Sequence, residues 1–129
     1  MSGDAYKSKL TPEQYDVLFN NAIEPPFTGE YDQEFRSGTY ACAACGTQLF
    51  ESGTKFDAHC GWPSFYDAIS GTVQFHEDLS YGMRRTEVTC STCGGHLGHV
   101  FEGEKFGTPT DQRYCINSLS LTFTPEKKV

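Results

Sequence analysis

No stretch of this chain approaches the roughly 18 consecutive apolar residues that a membrane-spanning helix requires, so no membrane partner is expected. The N-terminal run Met1-Ser-Gly-Asp-Ala-Tyr-Lys7 lacks an apolar h-region, and no secretory signal is expected. Cations are scarce: 10 Lys and Arg stand against 17 Asp and Glu, for a formal charge of −7. Only Arg84-Arg85 and Lys127-Lys128 form basic pairs, whereas a nucleic-acid binder needs a basic face, so no nucleic-acid partner is expected. The acidity reads as solubility alone. No internal repeat beyond two short cysteine knuckles and no linker divides the chain, so its 129 residues are read as one domain, 1–129.

What the chain does hold is six cysteines that divide unevenly. Four form two matched pairs, Cys42-Ala-Ala-Cys45-Gly46 and Cys90-Ser-Thr-Cys93-Gly94. A CxxC turn presents two thiolates toward one ion, and the glycine that follows can adopt the left-handed backbone of such a knuckle. Two knuckles of one pattern point to a tetrahedral four-sulfur zinc site, Cys42, Cys45, Cys90 and Cys93. Four protein sulfurs leave no open position, so the ion is structural and a zinc hydrolase is excluded. Two local disulfides or a thioredoxin-like redox pair are the other readings of these cysteines. Paired knuckles without a signal peptide suit a reducing compartment, and a cytoplasmic monomer is expected.

Thr11 reads as a helix N-cap, with Pro12 at the first helical position and Gln14 where a capping box needs it. Tyr15, Leu18 and Phe19 continue an apolar stripe, and Asn20-Asn21 and Pro25-Pro26 close a helix over 11–21. Beyond it, short aromatic or β-branched runs at 39–42, 72–75, 83–89, 99–101 and 119–123 alternate with Gly, Asp and Pro, the punctuation of a mainly β fold.

Cys60 and Cys115 stand apart from the knuckles, which suggests a redox pair. Alternation in the 118–123 tail, extended backward, sets Arg113, Cys115, Asn117 and Leu119 on one face. A guanidinium near a thiol favours the nucleophilic thiolate, while a buried, inert cysteine is the commoner fate. Cys60 lies in His59-Cys60-Gly61-Trp62-Pro63-Ser64-Phe65, a turn with the only tryptophan, which serves either the core or a pocket wall. His96-Leu97-Gly98-His99 follows the second knuckle. On a straight strand the two histidines face opposite sides, but a bend at Gly98 brings them to one site, where imidazole is the usual proton carrier near neutral pH. Structural histidines are the plain alternative.

Taken together, Cys-Gly-Trp-Pro-Ser-Phe at 60–65, Arg-Thr-Glu-Val at 85–88, His-Leu-Gly-His-Val-Phe at 96–101 and Arg-Tyr-Cys-Ile-Asn-Ser at 113–118 resemble the peptide-methionine (R)-S-oxide reductases, the B-type methionine sulfoxide reductases, over 25–123. The resemblance implies two antiparallel sheets with short N-terminal helices. It implies Cys115 as the nucleophile, Cys60 as the resolving cysteine, and Trp62, Phe65 and His99 as substrate-binding residues. His96, His99 and Asn117 would surround the sulfoxide oxygen, and Arg113 would tune the nucleophile. It further implies structural zinc, methionine-R-sulfoxide in proteins as substrate, and thioredoxin as reductant through a Cys60–Cys115 disulfide. Tyr81 departs from the histidine that many members carry. The competing class is a non-catalytic, zinc-stabilised β binding module, which has no reason to carry Cys115 beside Arg113 and Asn117.

Overall fold

The computed structural model describes residues 10–20, 22, 24–25, 28–31, 34–56, 61–79, 82, 84–102, 109–110 and 112–125. The predicted helix is α1, Pro12–Phe19, and it starts as its cap residues dictate. The Thr11 hydroxyl accepts from the Gln14 amide at 3.2 Å, and the Gln14 side chain accepts from the Thr11 amide at 2.9 Å, so two otherwise unpaired donors are satisfied reciprocally. Val17 and Leu18 are its buried residues, while Tyr15 and Phe19 pack half-buried on the core.

Among the described residues nine strands follow: β1 Gly38–Cys42, β2 Gln48–Glu51, β3 Lys55–Phe56, β4 Ser64–Phe65, β5 Val73–Asp78, β6 Arg85–Cys90, β7 His96–Glu102, β8 Gln112–Ile116 and β9 Leu121–Pro125. They form a three-stranded sheet, β2-β1-β9, and a six-stranded sheet, β3-β4-β8-β7-β6-β5. All pairings among the described residues are antiparallel. The mainly β, two-sheet expectation agrees with this architecture. The short strands β2, β3 and β4 escaped the sequence reading, because two to four residues cannot establish an alternation.

Between the sheets lies an aromatic core. Tyr40 meets Phe65 edge-on at 5.1 Å, Phe50 stacks on Phe65 at 4.4 Å, and Leu49, Leu97, Ile116 and Leu121 fill in around them. Phe65 was expected at the substrate pocket. The structure instead buries it completely, at 0 % exposure, because the period of two along β4 turns Phe65 to the core and Ser64 to the other face.

The tail also departs from expectation. Alternation does not run unbroken from Arg113 to Phe123, since a 3-10 turn at Ser118–Ser120 interrupts it. Past that turn the chain leaves β8 in the larger sheet and enters β9, which pairs with β1 in the smaller one. Leu119 therefore sits in the turn and not on the strand face of Cys115.

The pairing of β7 with β8 depends on Gly98. It is buried opposite Ile116, and a Cβ there would collide with the carbonyl of Cys115. Gly98→Ala forces backbone to move, with no flexible side chain to yield. The substitution is expected to lower stability by about 1–3 kcal/mol, as overpacked cores do, read from the midpoint of urea unfolding.

Candidate active site and metal centre

The two knuckles form at strand ends. Gly46 (φ 81°) and Gly94 (φ 77°) take the left-handed conformation that the sequence required, and each donates its amide to the carbonyl of the first cysteine, Cys42 at 2.9 Å and Cys90 at 2.8 Å. Cys42 closes β1 and Cys90 closes β6, so the four sulfurs join the two sheets. All four ligand atoms lie within 4.8 Å of one another, with Cys42 and Cys93 at 3.7 Å and Cys45 and Cys90 at 3.5 Å. These are not disulfide separations, and Cys42, Cys45, Cys90 and Cys93 are held as thiols. Hydrogen bonding from Cys90 and Cys93, together with burial, pushes the Cys42 thiol up; bonding from Cys42 and Cys93 pulls Cys90 down. On Cys93 the Cys42 contact lowers the pKa, but Cys90 and burial outweigh it and carry the group up to about 12. Such an uneven share of protons among packed thiols is levelled by a central cation that holds all four as thiolates. The Thr47 and Thr92 hydroxyls bond across the knuckles at 2.9 Å, and Thr47 also contacts the Cys45 sulfur at 3.2 Å.

A second cluster is centred on Cys115. β8 runs between β4 and β7, so Cys115 is flanked in register by Ser64 on one side and His99 on the other. Its side chain is half-buried, and Tyr114 and Ile116 on either side turn into the core. His96 and His99 come to one face through a β-bulge. β6 pairs Val88 with Gly98 but Thr89 with His96, and the extra residue on β7 turns the buried Leu97 inward. The rings end 5.4 Å apart at 68°. The bend expected at Gly98 is thus a bulge beside it.

Each histidine meets a carboxylate. His96 Nδ1 lies 2.7 Å from Glu87 Oε2, and His99 Nε2 lies 2.8 Å from Asp78 Oδ2, an oxygen that also accepts from Arg85 Nη2 at 3.3 Å. Burial pulls the His99 pKa below the ordinary 6.5. The Asp78 hydrogen bond opposes this, and the nearby Arg85 cation and His96 reinforce it. The ring is therefore neutral at pH 7, and it bonds Asp78 as a neutral donor.

The remaining expected site residues take varied positions. The Arg113 guanidinium stacks over Phe101 at 4.5 Å, on the same strand face as Cys115. Asn117 Nδ2 donates to the Leu97 carbonyl at 3.0 Å, so this side chain ties the end of β8 to β7. Trp62 is half-buried, and its Nε1 donates to the Glu24 carbonyl at 2.9 Å. Its neighbour Pro63 accepts the Ile116 amide at 2.9 Å, which docks the Trp62 loop against the strand of Cys115. Cys60 and His59 lie outside the described residues, as does Tyr81.

Sequence reasoning missed Glu24. It is 1 % exposed, and its carboxylate accepts the amides of Ser118 at 3.2 Å and Leu119 at 2.8 Å, which caps the turn after Asn117. The residue lies in an irregular segment where no periodicity marks it. Asp78, Arg85 and Glu87 were also missed as a group. Their signal was the alternation along β6, which sets Arg85 and Glu87 on one face.

The profile of the SelR domain family matches residues 10–125. The chain is 56% identical over 126 residues to a protein of Leifsonia xyli subsp. xyli named peptide methionine sulfoxide reductase MsrB, covering 97% of this chain and 90% of that one. It is 57% identical over 127 residues to a protein of the same name from Methanosarcina mazei, covering 98% and 89%. Among solved structures, the crystal structure of the Mis18 "Yippee-like" domain aligns with a TM-score of 0.55 at 17% identity, covering 72% of this chain and 100% of that one; this likeness concerns the fold alone.

The His99 environment makes a pH prediction. Its folded pKa is depressed, so below pH 6.5 the unfolded chain takes up the proton first. Stability at this residue is unaffected above 6.5 and falls as pH drops from 6.5 through the lower folded value. Ring-proton NMR is expected to show a His99 midpoint below 6.5, and a midpoint above it would refute the burial argument.

Proposed function

The chain belongs to the SelR domain family, and on that footing we propose that it reduces peptide-bound methionine sulfoxide, of the R epimer, to methionine by thiol chemistry at Cys115. The observation that supports this most is the register that sets a half-buried thiol directly across from a carboxylate-bound histidine, with a second histidine 5.4 Å from the first. A sulfoxide oxygen leaves only when protonated. A histidine of this pair takes the Cys115 proton on its unprotonated ring nitrogen, and the thiolate attacks the sulfur while that imidazolium passes the proton to the oxygen. The sulfur is reduced to the thioether, and Cys115 is oxidised to the sulfenic acid with the oxygen on it. Cys60 then attacks the Cys115 sulfur, water leaves, and a Cys60–Cys115 disulfide forms. A dithiol such as thioredoxin reduces that disulfide by exchange and restores both thiols. Trp62, hung on the Glu24 carbonyl beside β8, forms the wall against the substrate methyl group. Arg113, on the same strand face as Cys115, favours its thiolate. The enzyme works as a monomer in a reducing, cytoplasmic setting, which keeps the thiols available.

Cys42, Cys45, Cys90 and Cys93 would hold zinc. Bonds of about 2.3 Å to a tetrahedral ion put sulfurs about 3.8 Å apart, close to the 3.5 and 3.7 Å observed. With four thiolates committed, the ion takes no part in the redox cycle.

Cys115→Ser is expected to abolish reduction of methionine-R-sulfoxide with dithiothreitol and with thioredoxin alike; surviving turnover sinks the nucleophile assignment. Cys60→Ser should still release about one methionine per enzyme through the sulfenic acid yet fail to cycle with thioredoxin, and undiminished cycling would strip Cys60 of its resolving role. Removing zinc with a chelator under denaturing conditions and refolding without it should leave the chain unfolded by circular dichroism, since structural zinc contributes on the order of 10 kcal/mol to folding. A folded, metal-free chain would contradict the structural role.

A further inference from the structure

The Arg85-Thr86-Glu87-Val88 run belongs to the motifs that mark this chain, yet the chemistry above gives its charged residues no task. They line the face of β6 next to β7. Glu87 is the register partner of His99 and reaches His96, while Arg85 is the register partner of Asp78. Both histidines are mostly buried, at 12% and 17% side-chain exposure, so their ring orientations are decided by protein partners and hardly by water.

An ionised carboxylate only accepts hydrogen bonds, and the ring nitrogen that faces it must carry a proton. Arg85 can only donate, so Asp78 Oδ2 is an acceptor toward Arg85, and it is therefore an acceptor toward His99 as well. We propose that Glu87 and Asp78, the latter shared with Arg85, are positioning residues that hold the two histidines in opposite tautomers: His96 with its proton on Nδ1, His99 with its proton on Nε2. The neutral rings then present different bare nitrogens, Nε2 of His96 and Nδ1 of His99. Flipping either ring would set a carbon or a bare nitrogen against a carboxylate. The two imidazoles, 5.4 Å apart, consequently cannot exchange roles. The inference rests on the reductase reading only for its catalytic consequence; the tautomers themselves are a property of the fold.

The test is imidazole nitrogen NMR on the reduced, zinc-loaded full chain, at a pH where both rings are neutral. The expected spectrum shows His96 protonated at Nδ1 and His99 at Nε2. Glu87→Gln offers the ring either an amide oxygen or an NH2 group. It should release the His96 tautomer while His99 keeps its own, and lower kcat about tenfold with KM unchanged, the low end of what losing the carboxylate partner of a metal-bound histidine costs. Asp78→Asn should do the converse to the tautomer of His99. A wild-type His96 protonated at Nε2, or a Glu87→Gln protein with unaltered tautomers or undiminished kcat, overturns the proposal. If Glu87→Gln fails to fold, the wild-type spectrum decides alone. Turnover by Cys115→Ser would refute the nucleophile and leave these spectra as they are, so the two failures are distinguishable.

Discussion

The four-cysteine cluster is the constraint on which the rest of the structure depends. It closes the end of β1, in the small sheet, against the end of β6, in the large one. A chain of this length with many short strands has little cooperative strength within any single hairpin. Four sulfurs gathered within 4.8 Å tie the two sheets together at one corner. Helix α1 presses on the same place, since Leu18 lies against Gly95 beside the second knuckle. From that fixed corner β6 pairs with β7, and β7 with β8, and Cys115 sits on β8. The cluster stands at the root of the strand order that positions Cys115.

Within the large sheet, the site comes from two local departures from regular pairing. The bulge on β7 rotates His96 to the face of His99, and Gly98 lets β8 come close enough for the cross-strand alignment of His99 with Cys115. A regular β7 would have sent one histidine into the core. The same face receives the charged residues of β6, so the region around Cys115 alternates buried apolar support underneath with paired ionisable groups above.

Much of this was legible in the residues themselves. The cap of α1, the left-handed knuckle glycines and the metal donor set are local chemistry, written in three to five consecutive residues, and the structure reproduces each. The half-buried face shared by Arg113 and Cys115 followed from a period of two. Three things were not legible, for one physical cause: they depend on partners distant in sequence. Phe65 belongs to the core because β4 is wedged between β3 and β8, which no two-residue run announces. The break at Ser118–Ser120 exists because β9 must leave for the other sheet. Glu24 caps a turn 94 residues away, with nothing in its own neighbourhood to mark it.

That cap has a bearing on how the protein comes to life during synthesis. Glu24 emerges early, and its carbonyl takes the Trp62 indole once the loop around residue 62 exists. Its carboxylate, however, waits for the amides of Ser118 and Leu119, which follow it by 94 and 95 residues. Strand β9, which completes the small sheet, comes later still. The thiol of Cys115 thus cannot acquire its finished surroundings until the segment through Leu119 has left the ribosome. A product cut short after Asn117 would carry Cys115 and both histidines and still lack the amides that close the turn beside them on Glu24.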